Sequence, residues 1–206
     1  MKDYYLAQMG ITQWQVREQR PSLFNLQQLA TEVSQCTRCP LHQTRTHSVF
    51  ARGNPHSKLM IIGEAPGYHE DQQGLPFVGA AGQLLDRMLA SIGLDQEQIY
   101  ITNILKCRPP NNRDPQLNEI IQCTDYLTQQ IALIKPQLLL ALGRFAGQFL
   151  LNTSASLTQM RQSNQDYQDI PVIVTYHQAC LLRNPADKKH AYQDWLRVRE
   201  NIQAEV

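Results

Sequence analysis

The feature that most constrains the fold is a set of four cysteines. Cys36 and Cys39 form a Cys-x2-Cys pair, and Cys107 and Cys123 follow far downstream. Thiolates separated by two residues can share one soft metal centre, and two cysteines from distant segments can complete its ligand set. Ordinary buried thiols or a disulfide are the alternatives. If all four meet, the N-terminal part of the chain is fastened to its middle.

The length of 206 residues predicts one well-buried domain. Residues 1–21 are polar with scattered aromatic side chains and end at Pro21. We expect this stretch to be a loosely attached arm, followed by a single domain over residues 22–206.

Charge and hydropathy exclude some partners and leave others open. Nineteen basic and eighteen acidic residues give a formal net charge of +1, so contact with a nucleic acid would need a local basic patch. The N-terminus has no apolar run, and no stretch approaches the roughly 18 apolar residues of a membrane helix. We therefore expect a cytoplasmic protein without membrane contact. We also expect it to be a monomer. Disulfides are disfavoured in that reducing setting, and the fifth cysteine, Cys180, is expected not to be a ligand.

Short apolar runs alternate with helical patterns along the domain. Strands are predicted at Lys58–Ile62, Ile99–Leu105, Gln137–Leu142 and Pro171–Thr175. Helices are predicted from the N-cap Ser22 towards Cys36, over Gly79–Ile92, from Asp114-Pro115 through Cys123, around Phe145–Leu151, and near Ala186–Gln203. This order predicts an α/β fold, a three-layer αβα sandwich around a mainly parallel four-stranded sheet.

Unusual residues occur where the predicted strands end. Gly63-Glu64, Asn103, Gly143 and Tyr176-His177 all lie at or just beyond the C-terminal ends of strands. These ends share one edge of a parallel sheet, and ligands bind in the crevice outside it. We expect the four segments to meet in one pocket.

Each candidate pocket residue also has an ordinary interpretation. Gly63-Glu64-Ala65-Pro66-Gly67 can be a plain strand-to-helix turn or a loop that lets backbone approach a ligand. Phe77 is a core aromatic or a stacking platform for a planar base. Asn103 ties a loop or reads the edge of a base. His177 is a structural histidine or an electrophile facing the pocket.

Two basic segments flank the predicted pocket edge. The first is Lys106-Cys107-Arg108 with Arg113, and the second is Arg183 with Lys188 and Lys189. They are either solvated surface charge or contacts for phosphate groups. Leu181 and Leu182 are either core residues or a wedge that enters a stack of bases.

These motifs together resemble the family 4 uracil-DNA glycosylases, the iron-sulfur branch of the uracil-DNA glycosylase superfamily. The resemblance covers about residues 30–200. Its motifs are the cysteine spacing, the Gly63–Gly67 loop, Pro76-Phe77-Val78-Gly79, Thr102–Pro109, and His177 followed by Leu181-Leu182-Arg183-Asn184-Pro185.

The resemblance implies a DNA repair enzyme that hydrolyses the N-glycosidic bond of uracil, in single- or double-stranded DNA, and leaves an abasic site. It implies a [4Fe-4S] cluster on Cys36, Cys39, Cys107 and Cys123. Phe77 would stack on uracil beside Gly63 and Ala65, Asn103 would read the pyrimidine edge, and His177 would lie near O2. Lys106, Arg108 and Arg183 would contact phosphates, while Leu181 and Leu182 would supply the wedge.

The sequence departs from the family pattern after the histidine, where the family usually has His-Pro and this chain has His177-Gln178. Losing proline frees φ and adds a backbone donor. Ala65 stands where other superfamily members carry an aspartate, so Glu64 is the nearest carboxylate for orienting water. The rival interpretation is a non-catalytic iron-sulfur relative that binds DNA. A structural zinc ion is the alternative to the cluster.

Overall fold

The computed structural model describes residues 23–203. Its eight α-helices over that range are α1 (Leu23–Ser34), α2 (Tyr68–Gln73), α3 (Ala80–Ser91), α4 (Leu117–Ile134), α5 (Arg144–Leu150), α6 (Leu157–Gln162), α7 (Gln178–Arg183) and α8 (Lys188–Gln203). Its six strands are β1 (Arg52–Gly53), β2 (Leu59–Gly63), β3 (Ile99–Asn103), β4 (Leu138–Leu142), β5 (Gln165–Tyr167) and β6 (Ile170–Thr175). The predicted arm and the N-cap Ser22 lie outside the described residues.

The sheet has the order β1-β3-β2-β4-β6-β5. The inner strands β3, β2, β4 and β6 run parallel, and they are the four strands that the sequence predicted. The count of four was wrong, because two short strands extend the sheet: β1 pairs antiparallel with β3, and β5 pairs antiparallel with β6. Strand β1 has only two residues and β5 only three. Segments this short cannot show the alternation of apolar and polar residues that predicts a strand.

Helices cover both faces of the sheet, which confirms the αβα sandwich. Side chains of the inner strands alternate between the two faces. Residues such as Ile61 and Ile101 pack with α3, α7 and α8, and their neighbours such as Met60 and Ile62 pack with α4, α5 and α6. Parallel strands covered on both faces must be apolar throughout, and every residue of β2, β3 and β4 is buried.

A third apolar cluster joins α1 to α4. Leu29 and Val33 of α1 pack with Tyr126 of α4, and all four predicted ligand cysteines belong to this group or pack against it. The N-terminal part of the described chain is thus fastened to its middle, as the cysteine spacing predicted.

The connection of the strands determines where a crevice opens. The chain passes from β2 to β3 on one side and then crosses to β4 on the other side of β2. Strand order therefore reverses at β2, and ligands of open α/β sheets bind at such a switch point, outside the carboxyl ends of the strands. Within residues 23–203, no helix is both long and apolar enough to cross a membrane.

Candidate active site and cysteine cluster

Three of the predicted pocket residues are in contact at the carboxyl end of the sheet. Gly63 of β2 pairs with Asn103 of β3 in parallel register. A Cβ placed on Gly63 would lie 2.3 Å from Asn103 Oδ1 and 2.7 Å from Phe77 Cζ. Only glycine therefore leaves room for the amide and the ring at this strand end.

Asn103 has an unsatisfied acceptor in this pocket. The residue is 2 % exposed, and its Oδ1 has no hydrogen-bond partner among the described residues. Buried amide oxygens are normally paired, and an unpaired one costs free energy. The open position fits a ligand that donates an N–H.

Phe77 connects the Asn103 side of the pocket to His177. Its ring centroid lies 5.7 Å from that of the imidazole, with 31° between the planes. Its backbone has a φ of +55°, a conformation that a bulky side chain rarely adopts and that costs free energy. Surrounding contacts must therefore hold this loop.

Glu70 and Gly82 supply two such contacts. The carboxylate of Glu70 accepts hydrogen bonds from the backbone N–H groups of Val78 and Gly79, at 2.9 and 3.0 Å. A Cβ on Gly82 would lie only 1.7 Å from the carbonyl oxygen of Phe77, so helix α3 can support the loop only with glycine there. Sequence reasoning missed both residues, because neither belongs to a local pattern with a chemical signature.

Replacing Glu70 with alanine should lower the melting temperature by about 2 to 12 °C. Two backbone donors lose their acceptor, which costs about 1–3 kcal/mol, and a chain of this size shifts by about 2–4 °C per kcal/mol. Thermal unfolding followed by circular dichroism measures the shift, with Glu97→Ala as an exposed control. An unchanged melting temperature would show that Glu70 does not hold the Phe77 loop.

His177 caps the helix that follows it and keeps a defined tautomer. It is the N-cap of α7, and its Nδ1 accepts the backbone N–H of Ala179 at 3.1 Å. Since Nδ1 acts as the acceptor, the proton of a neutral ring sits on Nε2. Burial, assisted by the nearby charge of Arg183, lowers the pKa of His177 to about 4. At neutral pH the ring is therefore an uncharged Nε2–H donor.

Gly143 lets His177 approach the end of β4. Its φ is +90°, and a Cβ there would lie 3.0 Å from the Cβ of His177. Gln178, which replaces the expected proline, is fully buried, and neither polar atom of its side chain has a partner among the described residues. The departure has not removed the histidine from the pocket edge, where it still lies beside Phe77.

Glu64 follows Gly63 directly and is half-buried. Burial, together with the negative charge of Asp114, raises the pKa of its carboxyl to about 7, and the positive charge of Arg144 opposes the shift. A carboxyl group with this pKa at a pocket edge is suited to acid-base work near neutrality.

The predicted DNA contacts divide into exposed and buried side chains. Arg108 is partly exposed and Arg183 is exposed. Leu182 is 42 % exposed, whereas Leu181 is completely buried in the core beside α3 and α8. The prediction that Leu181 enters a base stack is wrong, because its side chain packs on the protein interior.

The structure also contradicts the prediction that Lys106 contacts phosphate groups. It is 1 % exposed, and its Nζ donates to Thr102 Oγ1, to the carbonyl of Asn103 and to Gln130 Oε1. Burial lowers its pKa to about 7. A side chain with three internal acceptors does not reach phosphate groups, and it braces the backbone behind Asn103 instead. Arg113 is similarly engaged, because both its terminal nitrogens donate to the buried Glu119, at 2.9 and 2.6 Å.

The four predicted ligand cysteines line one cavity, with Arg45 and Tyr126 among its other walls. Cys107 and Cys123 are buried, Cys36 and Cys39 are half-buried, and all are free thiols. Arg45 donates to Cys107 Sγ at 3.0 Å, and the backbone N–H of Lys106 donates to Cys123 Sγ at 3.3 Å. These donors favour thiolates, but burial outweighs them: it raises the pKa of Cys107, and it raises the pKa of Cys123 to about 11. Cys180 lies outside this cavity, beside Arg183.

Four thiolates suit either an iron-sulfur cluster or a zinc ion. Across residues 23–203, no three side chains of histidine, cysteine, aspartate or glutamate are grouped so that they could hold a metal ion. A tetrahedral zinc ion needs all four sulfurs at about 2.3 Å. In a four-iron cluster each thiolate binds a different iron, so the sulfurs stand further apart. The four cysteines around one cavity are the donor set that either group would use.

Comparisons with known proteins show the family of the chain. The uracil DNA glycosylase superfamily matches residues 50–197. The chain is 43% identical over 184 residues to a type-4 uracil-DNA glycosylase of Archaeoglobus fulgidus, covering 85% of this chain and 92% of that one. It is 41% identical over 162 residues to the type-4 uracil-DNA glycosylase of Thermotoga maritima, covering 78% and 84%. Identity falls to 26% over 179 residues for a type-5 uracil-DNA glycosylase of Pyrobaculum aerophilum, covering 71% and 79%. The chain belongs to the uracil-DNA glycosylase superfamily and, within it, to the type-4 branch.

Proposed function

We propose that this protein removes uracil from DNA by hydrolysing the N-glycosidic bond and leaving an abasic site. The observation that carries the proposal is the unpaired Oδ1 of Asn103, which faces a glycine strand end and the ring of Phe77. Uracil has an N–H at N3 for this acceptor, and cytosine has none. The amide nitrogen of Asn103 can donate to uracil O4, where cytosine carries an amino group.

Recognition requires that the uracil leave the base stack. The base would be extruded from DNA into the pocket, at a cost of a few kcal/mol. Phe77 would stack on the flat face of the base, and the bare backbone of Gly63 with the small Ala65 would leave room for its edge.

His177 would stabilise the departing base. As the glycosidic bond breaks, positive charge develops on the sugar and negative charge on uracil O2. The Nε2–H of a neutral imidazole would donate to O2, and its position is fixed in advance by the Ala179 hydrogen bond. A preorganised donor of this kind lowers the barrier because it needs no reorientation during the reaction.

Glu64 would orient and polarise the attacking water. With a pKa of about 7, the carboxyl is half ionised at neutral pH. The ionised form accepts a hydrogen bond from water more strongly than the neutral acid does, and only the ionised form carries a negative charge that stabilises the positive charge on the sugar. Protonation below pH 7 would weaken the first effect and remove the second.

The single-turnover rate should therefore rise with pH through about 7, with a tenfold loss per pH unit well below that value. His177 stays neutral over this range, because its pKa of about 4 lies lower. The Glu64→Gln variant should release uracil more slowly than the native protein. Its rate should not depend on pH between 5 and 8. If the single-turnover rate of the native protein does not change between pH 5 and 8, Glu64 does not act on the attacking water.

Cys36, Cys39, Cys107 and Cys123 would hold a [4Fe-4S] cluster. When bound, the cluster would fasten α1 and the loop before β1 to the segment between β3 and α4, so its role here is structural. The hydrogen bonds from Arg45 and the Lys106 backbone support this assignment, because they would stabilise sulfurs that carry negative charge.

DNA would lie across the carboxyl edge of the sheet. Arg108 and Arg183 would contact phosphate groups there. Of the two predicted wedge residues, only Leu182 is exposed enough to enter the stack. The monomeric state, the cytoplasmic location, and the division into an arm (1–21) and one domain (22–206) stay predictions.

Release of free uracil from an oligonucleotide tests the proposed function directly. Single- and double-stranded substrates with one uracil are compared with the same oligonucleotides carrying cytosine. Uracil release without strand cleavage supports the proposal, and binding without release favours the non-catalytic relative.

A further inference from the structure

An exposed tyrosine follows the Gly63–Gly67 loop directly and lies next to an arginine. Tyr68 is 54 % exposed, and the guanidinium carbon of Arg108 lies 5.1 Å from the centroid of its ring. Arg108 is held in turn by a 2.7 Å hydrogen bond from its Nε to Asn112 Oδ1. Cation–π pairs of this kind favour a fixed ring.

Packing contacts connect this pair to the pocket. Tyr68 packs edge-on against His69, with ring centroids 5.5 Å apart and 79° between the planes. A Cβ on Gly79 would lie 3.2 Å from the ring of His69. Gly79 is two residues from Phe77, so the exposed tyrosine stands beside the loop that carries the stacking ring.

We propose that Tyr68 and Arg108 form a second subsite, which stacks on the base of a nucleotide next to the extruded uracil. This inference rests on the proposed function, because it takes DNA as the ligand. Extruding one nucleotide removes a stacking partner from its neighbour, and an exposed aromatic ring can replace that partner. Every base offers a π-face, so such a subsite tolerates any sequence.

Basic and acidic side chains both border the pocket. Arg183 and Glu70 lie near His177, Arg144 and Asp114 lie near Glu64, and Arg108 packs on the Tyr68 ring. The arginines are the groups that a phosphate backbone would contact. A backbone in contact with Arg108 would bring its bases towards Tyr68.

Removing the stacking ring should weaken binding only when a neighbouring base is present. The probe is a single-stranded oligonucleotide with 2′-fluoro-2′-deoxyuridine, which resists cleavage. The nucleotide on the 5′ or the 3′ side of this modified residue is either a normal nucleotide or an abasic one. Tyr68→Ala should raise the dissociation constant about 5- to 150-fold, the range for one stacked base, and should have no effect once the contacted neighbour is abasic.

Two further variants separate stacking from other effects. Tyr68→Phe keeps the ring and should bind as the native protein does. Tyr192→Ala removes another exposed tyrosine, 46 % accessible on α8, and should leave affinity unchanged. A Tyr68→Ala effect of equal size on every oligonucleotide, or no effect at all, would overturn the subsite. Failure of the native protein to release uracil would overturn the proposed function instead, because the binding measurement does not depend on turnover.

Discussion

His177→Ala slows single-turnover release of uracil by about 10²- to 10³-fold, the loss expected when one preorganised donor to a developing anion is removed. The physical reason is the fixed tautomer. Nδ1 is engaged by the Ala179 N–H, so Nε2 carries the proton and is the atom available to uracil O2. In the alanine variant only water can stabilise the uracil anion, and water must reorient as the charge develops.

DNA affinity should change far less than the rate. Most of the affinity of such proteins comes from phosphate contacts, and His177 lies beside Phe77 in the pocket. Rapid-quench kinetics measures the rate, and fluorescence anisotropy measures the dissociation constant. His56→Ala, at an exposed position, serves as the matched control and should match the native rate. Cleavage at the native rate by His177→Ala would mean that another group stabilises the leaving base.

Cys107→Ser should remove most of the bound iron and the visible absorbance of the cluster. The same change should destabilise the fold, because the centre joins α1 to the segments around β3 and α4. If the cluster contributes about 4 kcal/mol, less than structural zinc gives a zinc finger, the melting temperature falls by about 8–16 °C. Iron analysis, the absorption spectrum and thermal unfolding measure these losses.

Cys180→Ser is the matched control for this experiment. Cys180 lies outside the cysteine cavity and contacts Arg183, so iron content, absorbance and melting temperature should all remain native. A native protein that is colourless and carries zinc would contradict the cluster.

The sequence predicted the four inner strands because each is an apolar run ended by an unusual polar residue or glycine. Parallel strands place their carboxyl ends at one edge, so the meeting of Gly63, Asn103 and His177 was predictable without coordinates. The positive φ of Phe77 and the roles of Glu70 and Gly82 were not, because they depend on how one loop packs against a helix.

Two predictions failed because residue type does not determine which way a side chain points. Lys106 sits among candidate phosphate contacts in the sequence, but Gln130, from helix α4, supplies one of the three acceptors that hold it inside. Leu181 and Leu182 are adjacent and identical in type. The rotation of α7 buries the first and exposes the second, and only tertiary packing sets that rotation.

Excision of uracil by this pocket can be followed under single-turnover conditions. Native protein is mixed in excess with a uracil-containing oligonucleotide, and free uracil is quantified over time by mass spectrometry, with the cytosine oligonucleotide in parallel. The expected products are stoichiometric free uracil and an abasic site in an intact strand, with no release of cytosine. Iron-loaded protein that binds the uracil oligonucleotide but releases no uracil would contradict the proposed function.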